Sequence, residues 1–365
     1  MNRRRFLGSA LAAGAFALTG GGARAEDAKA ARRFFPVQVS RDRLIRTVVG
    51  LRPYRSEGFV LRLDRLGEKN LIHNYGHGGA GVTLSWGVAT LALELAQDLE
   101  YDRAAVLGCG VVGLSTARLL QRRGKAVTIY ARDLPPETTS NVAGAFWYPT
   151  SVYDRDKAGP EFLEQFRRAC RIANDAFQIL VGPEYGVRWI DSFDLQRDPA
   201  LLERGPVGGA ALYPGIQLHH DEAPYFGFPH VREFSTMMIE PHTYLNALLR
   251  DFHLAGGRVV VREMRDRQAI ATLPEKVVFN CTGLGAGVLF GDASLIPVRG
   301  QLEVLLPQPE IDYCYLQNAT YMFPRRDGII LGGSFEHGNG SLAPDAELTT
   351  RILEAHAAVM GGLQD

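Results

Sequence analysis

The chain has 365 residues, 46% of them hydrophobic, and its 40 basic side chains balance 40 acidic ones, so the formal net charge is zero. This length accommodates one large or two medium domains with a substantial core. The balanced charge argues against nucleic acid as a partner and against a polybasic membrane protein, and the apolar content argues against a disordered tail.

The first 25 residues have the pattern of an export signal. Arginines at residues 3–5 precede an apolar stretch at 11–18, and Ala23-Arg24-Ala25 matches an A-x-A cleavage site. We predict a twin-arginine-type signal peptide at 1–25, and therefore a periplasmic or extracellular protein. The apolar stretch is short for a transmembrane helix, so no stable membrane insertion is expected after cleavage. An uncleaved anchor is the alternative.

A glycine-rich loop at residues 76–81 follows a leader arm predicted at 26–48, with a short helix at 41–46, and an apolar strand. A helical run at 83–99 comes directly after the loop. Glycines let backbone approach a ligand closely, and a helix that begins just after them directs free N–H groups at that ligand. The pattern therefore predicts a strand, a ligand-binding loop and a helix.

A second glycine-rich loop has the spacing G-x-G-x-x-G at residues 108–113. A predicted buried strand at 104–107 precedes it, and a helix at 111–123 and a strand at 126–130 follow. This βαβ context favours a dinucleotide cofactor with its pyrophosphate at the helix N-terminus. Two such loops in tandem indicate one large cofactor held from two sides; two unrelated strand-to-helix turns are the alternative.

The second strand of this unit ends in Arg132 and Asp133, so the acid expected to contact a ribose stands one position late. A preference for NADP is an alternative interpretation of Arg132, although nothing else indicates a nicotinamide site. Further along, the pattern predicts helices at 160–180, 240–252 and 348–360, strands at 258–261, 276–283 and 297–305, and a hairpin at 321–333.

The four cysteines lack C-x-x-C spacing, which indicates small core residues and no metal site, although a bridge between Cys170 and Cys314 stays open. His73 and His77 stand four apart and could mimic a metal-binding pair. The glycine-rich context disfavours a helix there, so we interpret them as side chains that brace the loop.

Most of residues 48–340 resemble the D-amino-acid oxidase family of flavoproteins. The motifs that carry the resemblance are GLRP at 50–53, HNYGHGG at 73–79, the fingerprint at 108–113, NCTG at 280–283 and RGQ at 299–301. In that family the first two motifs come last, so this chain resembles a circular permutant, with residues 97–103 as the new link. Permutation is tolerated where surface termini lie close together.

The resemblance implies an α/β fold: a Rossmann-like FAD-binding domain with a mostly parallel sheet, and a discontinuous substrate domain with an antiparallel sheet. The FAD-binding domain is expected at 49–150 and 236–293, and the substrate domain at 151–235 and 294–365. We expect the stretch at 71–87 to lie beside the fingerprint strand, with Arg52 across the pocket.

Non-covalent FAD is the cofactor that the resemblance implies. The residues it assigns to FAD are Gly78, Gly79, Ala80, Gly81, Val82, Thr83, Gly108, Gly110, Val111, Val112, Gly113, Arg132, Asp133, Thr138, Thr139, Ser140, Gly144, Ala145, Phe146, Met264 and Thr282. The first six are expected beside the isoalloxazine, where a helix N-terminus stabilises negative charge on the reduced ring.

For the substrate, the resemblance implies that Arg52 binds the amino-acid carboxylate bidentately, which a lysine cannot do. It implies that Tyr321 helps to hold this carboxylate and that the carbonyl of Gly79 accepts from the amine. Hydride transfer from Cα to flavin N5 would give an imino acid that hydrolyses to a 2-oxo acid and ammonia, with no side-chain base. A solvated surface charge is the alternative for Arg52.

Several positions depart from the family pattern. Gln317, which we assign to the substrate site, stands where eukaryotic members have a second tyrosine, and residues 306–320 form a shorter lid. Tyr148 replaces a glutamine near the flavin. Phe335 is apolar where members that accept acidic substrates carry arginine, so we predict neutral or bulky D-amino acids rather than D-aspartate.

The sequence thus predicts an exported FAD-dependent oxidoreductase that deaminates neutral D-amino acids, with oxygen or a respiratory electron acceptor as the final oxidant. Two alternatives are a secondary-amine or glycine oxidase, and a flavin- or amino-acid-binding protein without turnover. Arg52 together with Tyr321 favours deamination of D-amino acids, since an oxidase of amines without a carboxylate would have no use for a carboxylate-binding pair. Gln317 and the short lid keep the non-catalytic alternative open.

Overall fold

The computed structural model describes residues 34–220 and 225–363. The predicted signal peptide lies outside the described residues, as does the leader arm before residue 34. The strands are β1 (Leu44–Tyr54), β2 (Val60–Leu66), β3 (Lys69–Tyr75), β4 (Arg103–Leu107), β5 (Ala126–Ala131), β6 (Val187–Gln196), β7 (Gln217–His220), β8 (His230–Ile239), β9 (Arg258–Val261), β10 (Val277–Asn280), β11 (Ile296–Leu305), β12 (Tyr313–Gln317), β13 (Thr320–Arg325), β14 (Gly328–Gly332) and β15 (Glu336–His337).

The α-helices lie between these strands and after the last of them. They are α1 (Gly81–Glu94), α2 (Val111–Arg122), α3 (Thr139–Val142), α4 (Pro160–Ile179), α5 (Ala200–Glu203), α6 (Pro241–Leu254), α7 (Arg267–Ala271), α8 (Gly285–Phe290) and α9 (Ala346–Met360). The predicted helices at 83–99, 111–123, 160–180, 240–252 and 348–360 correspond to α1, α2, α4, α6 and α9.

The smaller sheet has the strand order β2-β3-β10-β4-β5-β9, and all of its pairs are parallel except the edge hairpin β2-β3. Its central strands are buried on both faces, as expected for a parallel sheet covered by helices. The mostly parallel sheet is therefore confirmed. Strand β10 separates β3 from β4, so the expectation that β3 lies directly beside the fingerprint strand is wrong: β10 enters the sheet between the two from much later in the chain.

The larger sheet has the order β1-β11-β14-β13-β12-β6-β8-β7, with β15 paired to β11. All of its pairs are antiparallel except β12 with β6, which confirms the antiparallel-rich second sheet.

The helix predicted at 41–46 is wrong, because only a 3₁₀ turn forms at Arg41–Arg43 before β1 begins at Leu44. Pairing of β1 along β11 and its β-branched residues favour the extended form. The domain bounds stay a prediction. They place residues 49–54 of β1 in the FAD-binding domain, whereas β1 hydrogen-bonds to β11 in the larger sheet.

Helix α1 is buried on almost every side because it packs against both α2 and α4. The contact with α4 is so close that a Cβ at Gly87 would lie 2.0 Å from the carbonyl oxygen of Ala169. Trp86 of α1 donates its indole N–H to the hydroxyl of Tyr244 at 2.6 Å, which ties α1 to α6. The loop that precedes α1 therefore ends at a helix that is fixed in place.

The four cysteines are buried free thiols, so no bridge joins Cys170 and Cys314. Within the described ranges, none of the helices has the length and apolarity needed to cross a bilayer. Over the same residues, no cluster of three histidine, cysteine or acidic side chains is placed to hold a metal ion.

Candidate active site

One large cavity of about 1500 Å³ lies between the two sheets. The five strands of the parallel part of the smaller sheet all end at it: residues that line the cavity follow β3, β4, β5, β9 and β10 directly. The opposite wall comes from one face of the larger sheet, including Leu302, Tyr321 and Leu316. A crevice at the carboxyl ends of parallel strands is where doubly wound folds bind their ligands.

The fingerprint loop is packed so tightly that only glycine fits. Gly108 has φ +100°, and a Cβ on it would lie 2.6 Å from the carbonyl oxygen of Cys281. A Cβ on Gly113 would lie 2.1 Å from the carbonyl oxygen of Gly108. Helix α2 begins at Val111 after Gly110, which has no side chain to cap it, so the first N–H groups that Ser140 does not engage face the cavity as an anion site.

The turn at residues 138–146 closes over this loop. Ser140 accepts a hydrogen bond from the backbone N–H of Val111 at 3.0 Å. Phe146 stacks on Phe323 of the larger sheet, with ring centroids 4.9 Å apart, and a Cβ on Gly144 would approach that same Phe323 ring to 2.9 Å. The turn therefore joins the two walls of the cavity.

Arg132 and Asp133 lie at the end of β5 and pair mainly with each other. The Arg132 guanidinium donates to Asp133 through Nε at 2.9 Å and Nη2 at 2.7 Å, and Glu263 lies 3.7 Å away. Because two carboxylates pair with Arg132, its charge does not support a contact with the 2′-phosphate of NADP. Asp133 lines the cavity wall at the end of β5, where the prediction places a ribose contact.

The loop between β3 and α1 presents backbone to the cavity. Gly78 has φ +56°, and a Cβ on it would lie 2.1 Å from the carbonyl oxygen of Ser151. The N–H of Gly79 donates to the same Ser151 oxygen at 3.0 Å. No side chain caps α1, so its N-terminus also faces the cavity.

Of the two histidines of this motif, His77 braces the loop. His77 is fully buried, contacts Asn74 Oδ1 at 3.1 Å, and packs against Phe59. Burial lowers the pKa of His77 to about 3 and, with nearby Arg62 as the next cause, that of His73 to about 4, so both rings are neutral near pH 7. The bracing interpretation agrees with the contacts of His77, whereas His73 lies within β3 and contacts Asn280 of β10.

Arg52 reaches the cavity from β1 with its charge uncompensated. Its Nη1 donates to the carbonyl oxygen of Ser334 at 3.1 Å, its guanidinium lies 4.3 Å over the Phe335 ring, and none of the carboxylates in the described ranges pairs with it. A Cβ on Gly300 would lie only 2.3 Å from Nη1, and one on Gly79 3.8 Å from the Arg52 Cδ. The guanidinium therefore occupies a niche that glycine leaves open, next to Gly79.

Tyr321 stands on the same wall. Its ring stacks on Phe323 at 4.9 Å and lies over Gly332, where a Cβ would approach the ring to 2.1 Å. A Cβ on Gly333 would lie 2.9 Å from the Tyr321 hydroxyl. Glycines again hold a functional side chain close to the backbone, here with its hydroxyl near the segment that accepts from Arg52.

Most of the residues predicted for the site meet in this one cavity. Those that line it are Arg52, Gly78, Gly79, Gly81, Val82, Thr83, Gly108, Gly110, Val111, Val112, Arg132, Asp133, Thr138, Thr139, Ser140, Gly144, Ala145, Phe146, Met264, Thr282 and Tyr321. Ala80, Gly113 and Gln317 do not line it. Ala80 is wholly buried, Gly113 packs on Gly108, and Gln317 sits at the end of β12 while its neighbours Leu316 and Asn318 reach the wall.

Sequence reasoning missed Asp194 and Gln196, which also line the cavity. Gln196 donates to Asp194 at 2.6 Å, and buried Arg232 lies 3.4 Å from the same carboxylate. Desolvation raises the pKa of Asp194, and Gln196 and Arg232 oppose this shift. This end of the cavity is thus polar but has no net charge.

The cavity fits a dinucleotide that carries a bulky ring. Two helix N-termini face it, Gly108 and Gly113 of the fingerprint leave no room for a Cβ, and an acid follows β5 beside it. These features define a protein that binds a dinucleotide cofactor beneath a second sheet, with a cation on that sheet.

Comparison with known proteins agrees with this class. The family model described as FAD dependent oxidoreductase matches residues 15–95 and 103–365. A D-amino-acid oxidase of Rubrobacter xylanophilus is 32% identical over 268 residues, covering 70% of this chain and 77% of that protein. A D-aspartate oxidase of Homo sapiens is 30% identical over 272 residues, covering 72% and 76%. The solved glycine oxidase of Geobacillus kaustophilus shares the fold, with a TM-score of 0.54 and 17% identity over 71% of this chain and 78% of that one.

The chain therefore belongs to the family of FAD-dependent oxidoreductases, and FAD is its cofactor. The two stretches matched by the family model are separated by residues 96–102, close to the link at 97–103 that a permuted order requires. The permuted order itself stays a prediction.

Proposed function

We propose that this protein is an exported oxidase or dehydrogenase that deaminates neutral D-amino acids. The observation that carries the proposal is Arg52: a cation without a described acidic partner, held in the cavity beside Gly79. An unpaired guanidinium at a cavity wall is suited to bind a carboxylate bidentately. The names of the relatives support a D-amino acid as the substrate that carries this carboxylate.

In this proposal, Arg52 binds the substrate carboxylate and the Tyr321 hydroxyl donates a second hydrogen bond to it. The backbone of Gly79, next to the Arg52 side chain, takes the substrate amine. These contacts fix two substituents of Cα and so fix the direction of its hydrogen. FAD, when bound, supplies the acceptor for the hydride that leaves Cα. The orientation of Cα that these contacts impose then determines the reaction rate, because the chemistry requires no side-chain base.

The proposed preference for neutral side chains rests on the wall beyond Arg52. Phe335, Leu316 and Leu342 present apolar surface there. Asp194, the nearby carboxylate, is compensated by Arg232. A substrate carboxylate in its side chain would meet no second free cation among these residues, so D-aspartate should be a poor substrate.

The test is anaerobic reduction of the bound flavin by a panel of amino acids. Rapid loss of the oxidised-flavin absorbance with D-methionine and D-alanine, and not with L-methionine, is the expected result. Reduction by glycine or sarcosine alone would instead indicate a glycine or secondary-amine oxidase. A folded, FAD-loaded protein that no member of the panel reduces would indicate a binding protein without turnover. Peroxide formation in air then distinguishes oxygen from a respiratory acceptor.

Export is the second part of the proposal, and the arginines at residues 3–5 with the Ala23-Arg24-Ala25 site support it. Replacing Arg4 and Arg5 by lysine should retain the protein in the cytoplasm. Amino-terminal sequencing of the exported wild-type protein should begin at Glu26. A mature protein that still carries residues 1–25 would favour the anchor alternative.

A further inference from the structure

A second, much smaller pocket lies on the other face of the FAD-binding sheet. Asn74 of β3 lines the large cavity, and its neighbour His73 points to the opposite side of the sheet, since side chains alternate along a strand. There His73 lines a pocket of about 150 Å³ together with Arg62, Arg65 and Arg267. Asp64 also reaches its rim. We call it the basic pocket.

The hydrogen bonds of His73 fix which nitrogen carries its proton. Asn280 Oδ1 accepts from the N–H of Thr282 at 3.3 Å and from its hydroxyl at 2.7 Å, so the amide nitrogen of Asn280 faces His73 Nδ1, 3.1 Å away. Because that amide donates, Nδ1 must accept, and the ring proton lies on Nε2. His73 thus presents an N–H donor to the basic pocket.

This donor is buried without an acceptor. His73 is 1% exposed, and its Nε2 makes no hydrogen bond to any residue in the described ranges. Asp64 Oδ2 lies 3.7 Å away, beyond hydrogen-bond distance, and the Asp64 side chain is half exposed. A buried donor left unsatisfied costs on the order of 1–3 kcal/mol, so an acceptor closer than Asp64 would be favourable here.

The surrounding charges favour an anionic acceptor. Arg62, Arg65 and Arg267 line the pocket with a single carboxylate, Asp64. Arg267 is held in place through Nε and Nη2, which donate to the carbonyls of Leu289 at 3.1 Å and Phe290 at 2.9 Å. Arg65 is anchored through Nη1 on Asn70 at 2.7 Å. Arg62 Nη2 lies 3.6 Å from Asp64 Oδ2, and the remaining guanidinium N–H groups of these side chains make no hydrogen bond within the described ranges.

We propose that the basic pocket binds a small oxyanion of the phosphate class, which accepts from His73 Nε2 and from the rim arginines. The volume suits one phosphate group, and guanidinium forks match its oxygens. The site is joined to the FAD cavity, because His73 contacts Asn280, and Asn280 holds Thr282, which lines that cavity. A bound oxyanion would accept from Nε2 of the tautomer that Asn280 already selects.

The test is calorimetric titration of the FAD-loaded protein with inorganic phosphate at constant ionic strength, since bound FAD occupies the fingerprint loop. We expect saturable one-to-one binding. The double variant Arg62→Gln/Arg65→Gln should weaken it at least about tenfold, as expected for loss of charge-assisted hydrogen bonds. Both side chains are exposed, so the fold should persist. The matched control, Arg258→Gln at the far edge of the same sheet, changes the charge but should leave binding unaltered.

Asp64→Asn supplies a test with the opposite sign. Removing the rim carboxylate should tighten phosphate binding severalfold, because it removes a like charge. Glycerol phosphate in place of inorganic phosphate shows whether the group is recognised free or as an ester, and binding of either supports the site. Absence of saturable binding in the wild type, equal weakening in Arg258→Gln and the double variant, or no gain in Asp64→Asn would overturn the proposal.

Discussion

Gly300 offers a test of the carboxylate clamp that leaves Arg52 in the sequence. A Cβ at this position would lie 2.3 Å from Nη1, 2.4 Å from Nη2 and 2.5 Å from Cζ of Arg52. In Gly300→Ala the guanidinium must therefore move by about 1 Å to reach ordinary contact distance. The obstructing atoms are the end of a flexible side chain, so the strand should stay intact while the clamp is displaced.

The expected loss follows from the hydrogen bonds that the displaced guanidinium can no longer make. A hydrogen bond to a charged group contributes about 1.5–3 kcal/mol, so kcat/KM for D-methionine should fall by about 10- to 150-fold. Arg52→Ala, which removes the charge entirely, should cost about 2–5 kcal/mol. Gly300→Ala should thus reproduce much of the Arg52→Ala defect without altering any polar group.

Steady-state kinetics, flavin content and the melting temperature of the loaded protein form the assay. Gly340→Ala is the matched control, because no atom lies within 4 Å of its added Cβ, and it should behave as the wild type. If Gly300→Ala retains wild-type kcat/KM while folded and FAD-loaded, then Arg52 does not hold the substrate where we place it.

Three further predictions concern the cofactor loop, the tyrosine and the buried histidines. Gly113→Ala places a Cβ 2.1 Å from the carbonyl of Gly108, so FAD affinity, measured by fluorescence titration, should fall at least about tenfold. Tyr321→Phe should raise KM about two- to tenfold, the value of one hydrogen bond, at unchanged FAD affinity. Burial lowers the pKa of His77 to about 3 and of His356 to about 4, so both side chains are neutral in the folded protein. Because histidines of the unfolded chain protonate as the pH drops from about 6.5 to 4, the melting temperature should fall over this range. The fall should be less steep in His356→Gln.

Each of these has an outcome that contradicts it. Wild-type FAD affinity in Gly113→Ala would mean that the fingerprint loop can relax. A Tyr321→Phe variant with altered FAD affinity and unchanged KM would assign the tyrosine to the cofactor instead of the substrate. A melting temperature that stays level between pH 6.5 and 4 would show that the histidines titrate alike in the folded and unfolded chain.

Local sequence signals were sufficient where one short stretch determines its own structure. Glycine spacing next to an apolar run predicted the fingerprint loop, because the tight turn of Gly108 depends on neighbours in the same stretch and on one adjacent strand. The same signals failed at residues 41–46, where helix-compatible arginines precede a strand fixed by pairing with β11, some 250 residues away in sequence.

Side-chain direction was the other property that the sequence could not provide. Residues 192–196 of β6 are all buried, so no alternation indicates which of them face the cavity, and Asp194 and Gln196 were missed. The family resemblance places Gln317 in the substrate site, yet the chain turns at residues 318 and 319, and the neighbours of Gln317 line the cavity. Neither outcome depends on residue type alone, because both are set by the packing of distant strands.

The most direct test of the proposed activity is anaerobic mixing of the FAD-loaded protein with D-methionine, followed by the absorbance of the oxidised flavin. The proposal predicts rapid bleaching with D-methionine and with D-alanine, no bleaching with L-methionine, and slow bleaching in Gly300→Ala. Unreduced flavin across the D-amino-acid panel, in a protein verified as folded and loaded, would contradict it.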